Sequence, residues 1–404
     1  MFKKNNCKGA DITAEYCGIK LQSPYILTSG PLTYAAEGMI RGHQAGCGAV
    51  VTKTIRLSRA INPVNHIGKL SGGESLINCE KWADSDRLLW YEREIPTAKK
   101  AGCVVIGSVG HTLPEAQAIV QDVEKAGADM IELVSYAEET MLPMLDFTKS
   151  HVKVPVICKL SGNWPDAVAA AAKCLERGAD GICAIDSIGP VLKIDIYNRR
   201  PEMMGSGGYG WMTGAAMRPI SMRINSEIAR NHPDFQNLYS SGGCMSAEDA
   251  IEFLMAGARC VGVCSVGILK GAGYIERMCY DLSAKLAELG YKNAKEPVGA
   301  ANANIPPVEL IGRLAFNYEP YPVPMQDGST GDMRRGCIKC GKCVTVCSYC
   351  ARKLDFPVMT VDEKLCRNCG MCVSICPTMA LTAEIAPQTG GDRAGEEAAT
   401  NTRT

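Results

Sequence analysis

Residues 103–134 read CVVIGSVGHTLPEAQAIVQDVEKAGADMIELV. The stretch opens on an apolar run, 103–108, of a length that suits a buried strand. It continues with Ala116, Ile119, Val120 and Val123 at i, i+3, i+4 and i+7, one face of an amphipathic helix. Gly127 is the residue type on which helices end, and the next apolar run follows at 129–134. A strand, a helix, a glycine and another strand make one turn of a βα repeat.

The same punctuation recurs along the chain. Gly46 precedes Ala49-Val50-Val51, Gly102 precedes Val104-Val105-Ile106, Gly178 precedes Ile182, and Gly257 precedes Cys260-Val261. Ser246-Ala-Glu-Asp249 forms a capping box ahead of Ala250, Ile251 and Leu254, and Pro165 suits the first turn of a helix reaching Leu175. Strands are expected near 25–29, 48–53, 103–108, 129–134, 154–160, 180–185, 237–241 and 259–264. Eight βα units in about 280 residues predict an α/β (β/α)8 TIM barrel rather than an open doubly wound sheet. Active sites of such barrels lie at the carboxyl ends of the strands. The positions to examine are therefore Thr28-Ser29-Gly30, Lys53-Thr54, Ser108, Val134 to Glu138, Lys159, Ile185 to Ser187, Ser241 to Gly243, and Cys264-Ser265.

With 43 Lys+Arg against 43 Asp+Glu in 404 residues, no net field attracts nucleic acid or an anionic membrane. No apolar run approaches the roughly 18 residues of a spanning helix, and the amino terminus lacks a signal-peptide stretch, so a soluble, cytoplasmic protein is expected. Its 21 cysteines then belong to a reducing compartment rather than to a disulfide framework. Nine of them crowd into Cys337 to Cys376, a composition break that marks a second domain. The expected organisation is a barrel over 1–289, a linker over 290–330 that wraps the barrel and carries a short helix-like piece at Val308 to Phe316, a cysteine domain over 331–382 and a disordered tail over 383–404.

Cys337, Cys340, Cys343 and Cys347 form C-x2-C-x2-C-x3-C, and Cys366, Cys369, Cys372 and Cys376 repeat it ahead of Pro377. This is the spacing of a bacterial ferredoxin-like domain with two 4Fe-4S clusters, in which the fourth cysteine of each run crosses to the other cluster. One cluster would take Cys337, Cys340, Cys343 and Cys376, and the other Cys366, Cys369, Cys372 and Cys347. Zinc ribbons use two C-x2-C pairs per metal and have no need of a third cysteine per run. Clusters move single electrons, so the barrel needs a cofactor that links one-electron to two-electron chemistry, which a flavin does. Gly242-Gly243 and Cys264-Ser265 leave bare backbone where the last two βα loops of many barrels bind phosphate, and this points to FMN. The literal G-x-G-x-x-G at Gly205 to Gly210 follows no apolar strand and opens no helix, and is read as a flexible loop.

Val51-Thr-Lys53-Thr54, Ser75-Leu-Ile-Asn78-Cys-Glu80, Thr213 to Ile220, Ser241-Gly-Gly243, Val263-Cys-Ser265 and the paired cysteine motifs together resemble the dihydropyrimidine dehydrogenase family. Over roughly residues 11–382 the chain looks like the iron–sulfur-bearing catalytic subunit of bacteria, itself similar to class 1 dihydroorotate dehydrogenases. The resemblance implies an FMN barrel that moves hydride between flavin N5 and the C5–C6 bond of a pyrimidine. It places Thr28, Ser29, Thr54 and Asn78 around the flavin, Lys53 at its ribityl and pyrimidine edge, and Lys159 where its charge stabilises reduced flavin. Gly242, Gly243, Cys264 and Ser265 would hold the phosphate, and Asn78 and Glu80 the amide edge of the substrate. The resemblance also implies a homodimer and an electron donor that is a separate flavoprotein subunit or ferredoxin.

The pattern breaks at the fourth strand. The family runs there into N-L-S-C-P and a long loop whose cysteine exchanges a proton with the substrate. This chain reads Glu132-Leu-Val-Ser-Tyr136-Ala137-Glu138, about 15 residues shorter, with Ala137 at the cysteine position and Val134 at that of a substrate-binding Asn. The amide pair N-T after strand six is Asp186-Ser187. Reduction of a C=C bond needs a proton as well as a hydride, and Tyr136 is the first candidate donor, followed by Glu138 and Asp186. An ionised Asp186 accepts hydrogen bonds and does not donate them, so a substrate other than uracil or thymine is expected, an unsaturated carbonyl compound or heterocycle. The competing readings are a pyrimidine dehydrogenase with a substitute acid, and a catalytically silent electron-transfer subunit.

Overall fold

The computed structural model describes residues 2–3, 7–70, 73–305, 314–317, 337–355, 358–362, 364–367 and 369–385. By its contacts the chain divides into two compact units, Met1–Ile305 and Pro306–Thr404.

The first unit is a closed barrel of eight parallel strands. They are β1 Tyr25–Leu27, β2 Ala49–Val51, β3 Val105–Gly110, β4 Met130–Val134, β5 Val156–Leu160, β6 Gly181–Ala184, β7 Leu238–Ser240 and β8 Cys260–Val263. Each pairs with its neighbour in sequence, and β8 closes onto β1 through Val261 opposite Tyr25. The strands are buried on both faces because helices such as Leu113–Lys125 cover the outside with Ala116, Ile119, Val120 and Val123. Inside, Val51, Ile106, Met130, Ile157, Cys183 and Tyr239 fill the barrel. A hairpin, Ala14–Tyr16 with Ile19–Leu21, supplies Tyr16, whose ring packs edge-on against Tyr239 at 5.8 Å.

Local signals act as expected at most helix ends. Ser246 caps Ala247–Met255 by accepting from the Asp249 amide. Pro165 lies one residue outside its helix instead, because Asp166 takes the cap and accepts from Val168 and Ala169.

Two long loops, after β2 and after β6, meet in a four-stranded antiparallel sheet that the sequence reading did not foresee. Its order is Ile188–Val191, Gly210–Gly214, Ser75–Asn78 and Ile67–Lys69. Strands this short, paired across more than a hundred residues, leave no periodic trace. Gly205 to Gly210 does not remain a loop throughout: a short turn at Ser206–Gly208 leads into the strand that begins at Gly210.

After the last barrel helix the chain runs back along the barrel. Ala294 donates to the Asp11 carbonyl and Gly299 to that of Leu254, both at close to 2.9 Å. Leu314–Asn317 is a strand paired with Thr382–Ile385, not the helix expected of Val308 to Phe316; residues 306–313 lie outside the described residues. Four residues are too few for periodicity to separate strand from helix, and the partner strand decides. The same pairing takes Ala383 to Ile385 out of the expected disordered tail, whose remainder, 386–404, lies outside the described residues.

Candidate active site

A cavity of about 390 Å³ opens at the carboxyl ends of the barrel strands, roofed by the four-stranded antiparallel sheet, which thus forms a lid sheet. Thr28, Ser29, Lys53, Thr54, Asn78, Glu80, Tyr136, Lys159, Asp186, Ser187, Gly242, Gly243, Cys264 and Ser265 all line it. Among the candidates named from sequence, Glu138 does not. It opens the helix Glu138–His151 and pairs with Lys173 at 2.5 Å, so it is not placed to give a proton in the cavity.

Charge in the cavity is organised as two pairs, each built on a buried lysine. Lys53 Nζ lies 2.5 Å from Glu80 Oε2 and 5.0 Å from the centre of the Tyr34 ring. Lys159 Nζ lies 3.1 Å from Asp186 Oδ1. Burial alone would strip the proton from Lys159, but the carboxylates of Asp186 and Glu132 outweigh it and hold the ammonium charged. Burial likewise opposes ionisation of Asp186, and Lys159 with the Ser187 amide reverses this and keeps it a carboxylate.

Glu132, on β4 beneath Lys159, has no exposed surface. Tyr239 donates to its Oε2 at 2.6 Å, while its Oε1 has no partner. Burial pushes this carboxyl up, with Lys159 opposing. The native state therefore binds the proton more tightly than the unfolded chain. The associated stability is present at low pH and is lost as pH rises through the ordinary carboxyl range, near 4.3, and on toward the raised value. Glu132→Gln, which cannot ionise, is expected to be more stable than the parent at pH 8 by about 1–3 kcal/mol. Thermal unfolding of both proteins at pH 5 and pH 8 should show the gap closing at the lower pH.

Over β7 and β8 the backbone is bare. Gly242 and Gly243 have φ of 103° and 108°. A Cβ on Gly243 would lie 2.5–2.7 Å from Arg218 backbone and Cβ atoms, so no side chain fits. Among the described residues no acceptor is provided for the amides of Gly242, Gly243, Cys264 and Ser265. Ser265 Oγ donates to Thr213 Oγ1 at 3.1 Å. Burial, followed by the Glu80 carboxylate, pushes the Cys264 thiol up to about 11, so it stays protonated.

Among the wall residues that escaped the sequence reading are His111, Trp82 and Trp211. His111 directly follows β3, which ends at Gly110 and not at the expected Ser108; counting the strand two residues longer would have found it. Its ring is stacked on Tyr136 with centroids 4.1 Å apart and meets Trp82 at 6.2 Å. Burial and then the nearby Arg56 guanidinium lower it to about 4, so the imidazole is neutral. Tyr136 has 61 % of its surface exposed, yet its hydroxyl is pushed up to about 12 by desolvation against the cavity wall and then by Asp186.

In the second unit the cysteines fall into two sets. One small cavity is lined by Cys337, Cys340, Cys343 and Cys376, another by Cys347, Cys366, Cys369 and Cys372. Burial would raise Cys347, but amide donors such as Ala351, at 3.3 Å from the sulfur, outweigh it and favour thiolate. Backbone amides do the same at Cys376.

The description "dihydroorotate dehydrogenase" belongs to a family model that matches residues 105–286, and "4Fe-4S binding domain" to one that matches 359–382. The chain is 28% identical over 363 residues to the NAD-dependent dihydropyrimidine dehydrogenase subunit PreA of Escherichia coli K12, covering 83% of this chain and 85% of the relative. It is 30% identical over 305 residues to the dihydroorotate dehydrogenase B (NAD(+)) catalytic subunit of Methanothermobacter thermautotrophicus, covering 71% and 97%. The chain belongs to the dihydroorotate dehydrogenase family. With the Thermoplasma volcanium subunit of the same description it shares 31% over 307 residues, 72% of this chain and 99% of the relative.

This family member is thus an oxidoreductase of the class acting on CH–CH groups, with a 4Fe-4S domain toward its carboxyl end. Among the described residues no helix is long and apolar enough to cross a membrane. Where the family loop would leave β4, only Ser135, Tyr136 and Ala137 separate the strand from the next helix. The turn is tied internally: Ser135 Oγ donates to the Ala137 carbonyl at 2.9 Å, and Trp164 Nε1 to that of Tyr136 at 3.2 Å. A short, pinned turn holds Tyr136 at the cavity wall in place of a long loop.

Proposed function

We propose that this dehydrogenase reduces, or forms, an activated C=C bond in a small unsaturated carbonyl or heterocyclic compound, using FMN in the barrel mouth and two 4Fe-4S clusters that relay electrons from a separate flavoprotein subunit or ferredoxin. The observation that carries this reading is the meeting, in one cavity, of two lysine–carboxylate pairs with a glycine cradle whose amides have no acceptor. The cradle suits a phosphate group. Gly242, Gly243, Cys264 and Ser265 would hold that phosphate, and Thr28, Ser29, Thr54, Lys53, Asn78 and Lys159 the remainder of FMN. Bound there, FMN would exchange hydride with a substrate carbon and single electrons with the iron–sulfur centres.

The chain's own residues would supply the rest of the chemistry. Lys159 sets a fixed positive charge at the cavity floor. Asn78, Glu80, Asp186 and Ser187 would orient the substrate. Of the three candidate donors, Glu138 is outside the cavity and Asp186 is held as carboxylate, while neighbouring His111 is neutral. Tyr136 retains a proton at neutral pH, and its hydroxyl would deliver it to the substrate carbon opposite the hydride. The two cysteine sets support two clusters, each built from three thiolates of one run and the fourth of the other. A homodimer is part of this proposal.

A second reading, a dihydropyrimidine dehydrogenase with Tyr136 as substitute acid, is favoured by the larger share of chain, 83% against 71%, that the dihydropyrimidine dehydrogenase subunit covers. One anaerobic experiment tests both. The bound flavin is reduced and unsaturated compounds, uracil and thymine included, are screened for reoxidation of its absorbance. Rapid reoxidation by a non-pyrimidine is expected; protein that binds no flavin, or flavin that no compound reoxidises, would overturn the proposal.

A further inference from the structure

The polar groups that face a substrate in this cavity are unbalanced. Asn78 and Trp211 are opposed in the lid sheet, and Asn78 Nδ2 donates to the Trp211 carbonyl at 3.1 Å. That bond sets the carboxamide orientation, and Asn78 Oδ1 accepts from no protein group. Glu80 gives one oxygen to Lys53, while its buried Oε1 has no partner. Asp186 receives Lys159 and the Ser187 amide on Oδ1 alone, and its side chain keeps 32% of its surface open. Val134, lining the same cavity, offers no polar group. The lysines that could donate are engaged by the carboxylates themselves.

The cavity therefore presents two open acceptor oxygens, Asn78 Oδ1 and the second carboxylate oxygen of Asp186, with the Glu80 carboxylate on the same wall. An imide ring flanks its N–H with two carbonyl acceptors, which would face these acceptor oxygens, and burying a carboxylate oxygen without a donor is costly. We propose that the substrate is a donor-rich unsaturated nitrogen heterocycle, a ring bearing amino or amidine N–H groups that meet Glu80, Asp186 and Asn78. This rests on the redox reading above and specifies its substrate class. The aromatic walls of Trp211 and Tyr136 suit a planar ring of that kind.

Matched rings test it: cytosine and isocytosine against uracil, and adenine against hypoxanthine. Each is titrated into the oxidised holoenzyme by calorimetry and then added to the anaerobically reduced form. The amino member of a pair is expected to bind at least about tenfold more tightly than its oxo partner, and to reoxidise flavin about 100-fold faster, within the range by which sites built around hydrogen bonds discriminate. Asp186→Asn and, independently, Glu80→Gln should each move the binding ratio toward the oxo ring by about tenfold. Equal or tighter binding of the oxo rings, no binding of any amino ring, or a ratio unmoved by both variants would overturn the inference. Amino-selective binding without reoxidation would sustain it and sink the redox reading instead.

Discussion

Tyr136→Phe is expected to slow substrate turnover by roughly 10²–10⁴-fold, the usual worth of a positioned general acid, while reduction of bound flavin by the electron donor keeps its rate. The split follows from what the hydroxyl does. In the proposed reaction it carries no electrons and contributes only the proton that an enolate-like carbon must receive. The substitution keeps the ring and with it the stacking on His111, so the cavity wall should persist. Stopped-flow kinetics separate the half-reactions: the reductive trace should superimpose on the parent's, and the oxidative trace should lag. Full-rate turnover by the phenylalanine variant would remove Tyr136 from the chemistry. Of its titratable neighbours, His111 is neutral and Asp186 is anionic.

Lys159→Met should act on stability as strongly as on chemistry. Lys159 is the cation between Asp186, at 3.1 Å, and the buried Glu132. Removing one member of a buried ion pair leaves an uncompensated charge, at a cost of about 3–5 kcal/mol. The double variant Lys159→Met with Asp186→Asn removes the orphaned carboxylate and is expected to recover most of that loss. Thermal unfolding of the two variants, measured without added ligand, checks this: equal destabilisation in both would show that the lysine acts through packing of its stem alone. The single variant should also bind FMN more weakly, which equilibrium dialysis reads directly.

The barrel was legible in the chain because each strand is a buried apolar run and five of the helix ends are followed by a glycine at positive φ. These are Gly46, Gly102, Gly127, Gly178 and Gly257. The lysines at the ends of β2 and β5 were legible for the same reason, since a charge that closes an apolar run in a barrel has one place to go. His111 was missed because β3 extends two residues past its most apolar part, a difference that sequence pattern does not resolve. Glu138 was placed wrongly because it directly follows Ala137 and lies two positions after Tyr136, while the start of a helix turns it toward Lys173.

What the residues determined on their own is whatever depends on short-range order: eight βα units, the ferredoxin spacing of the cysteines, the glycine cradle, and the short turn after the fourth strand. What tertiary structure decided is partnership. The lid sheet joins segments from opposite halves of the barrel. Lys159 is balanced by Glu132 on β4 and by Asp186 just beyond β6. Hydrogen bonds and ion pairs depend on distance in space, falling off over a few ångströms, and the chain order of 132, 159 and 186 carries no record of how close those three side chains come.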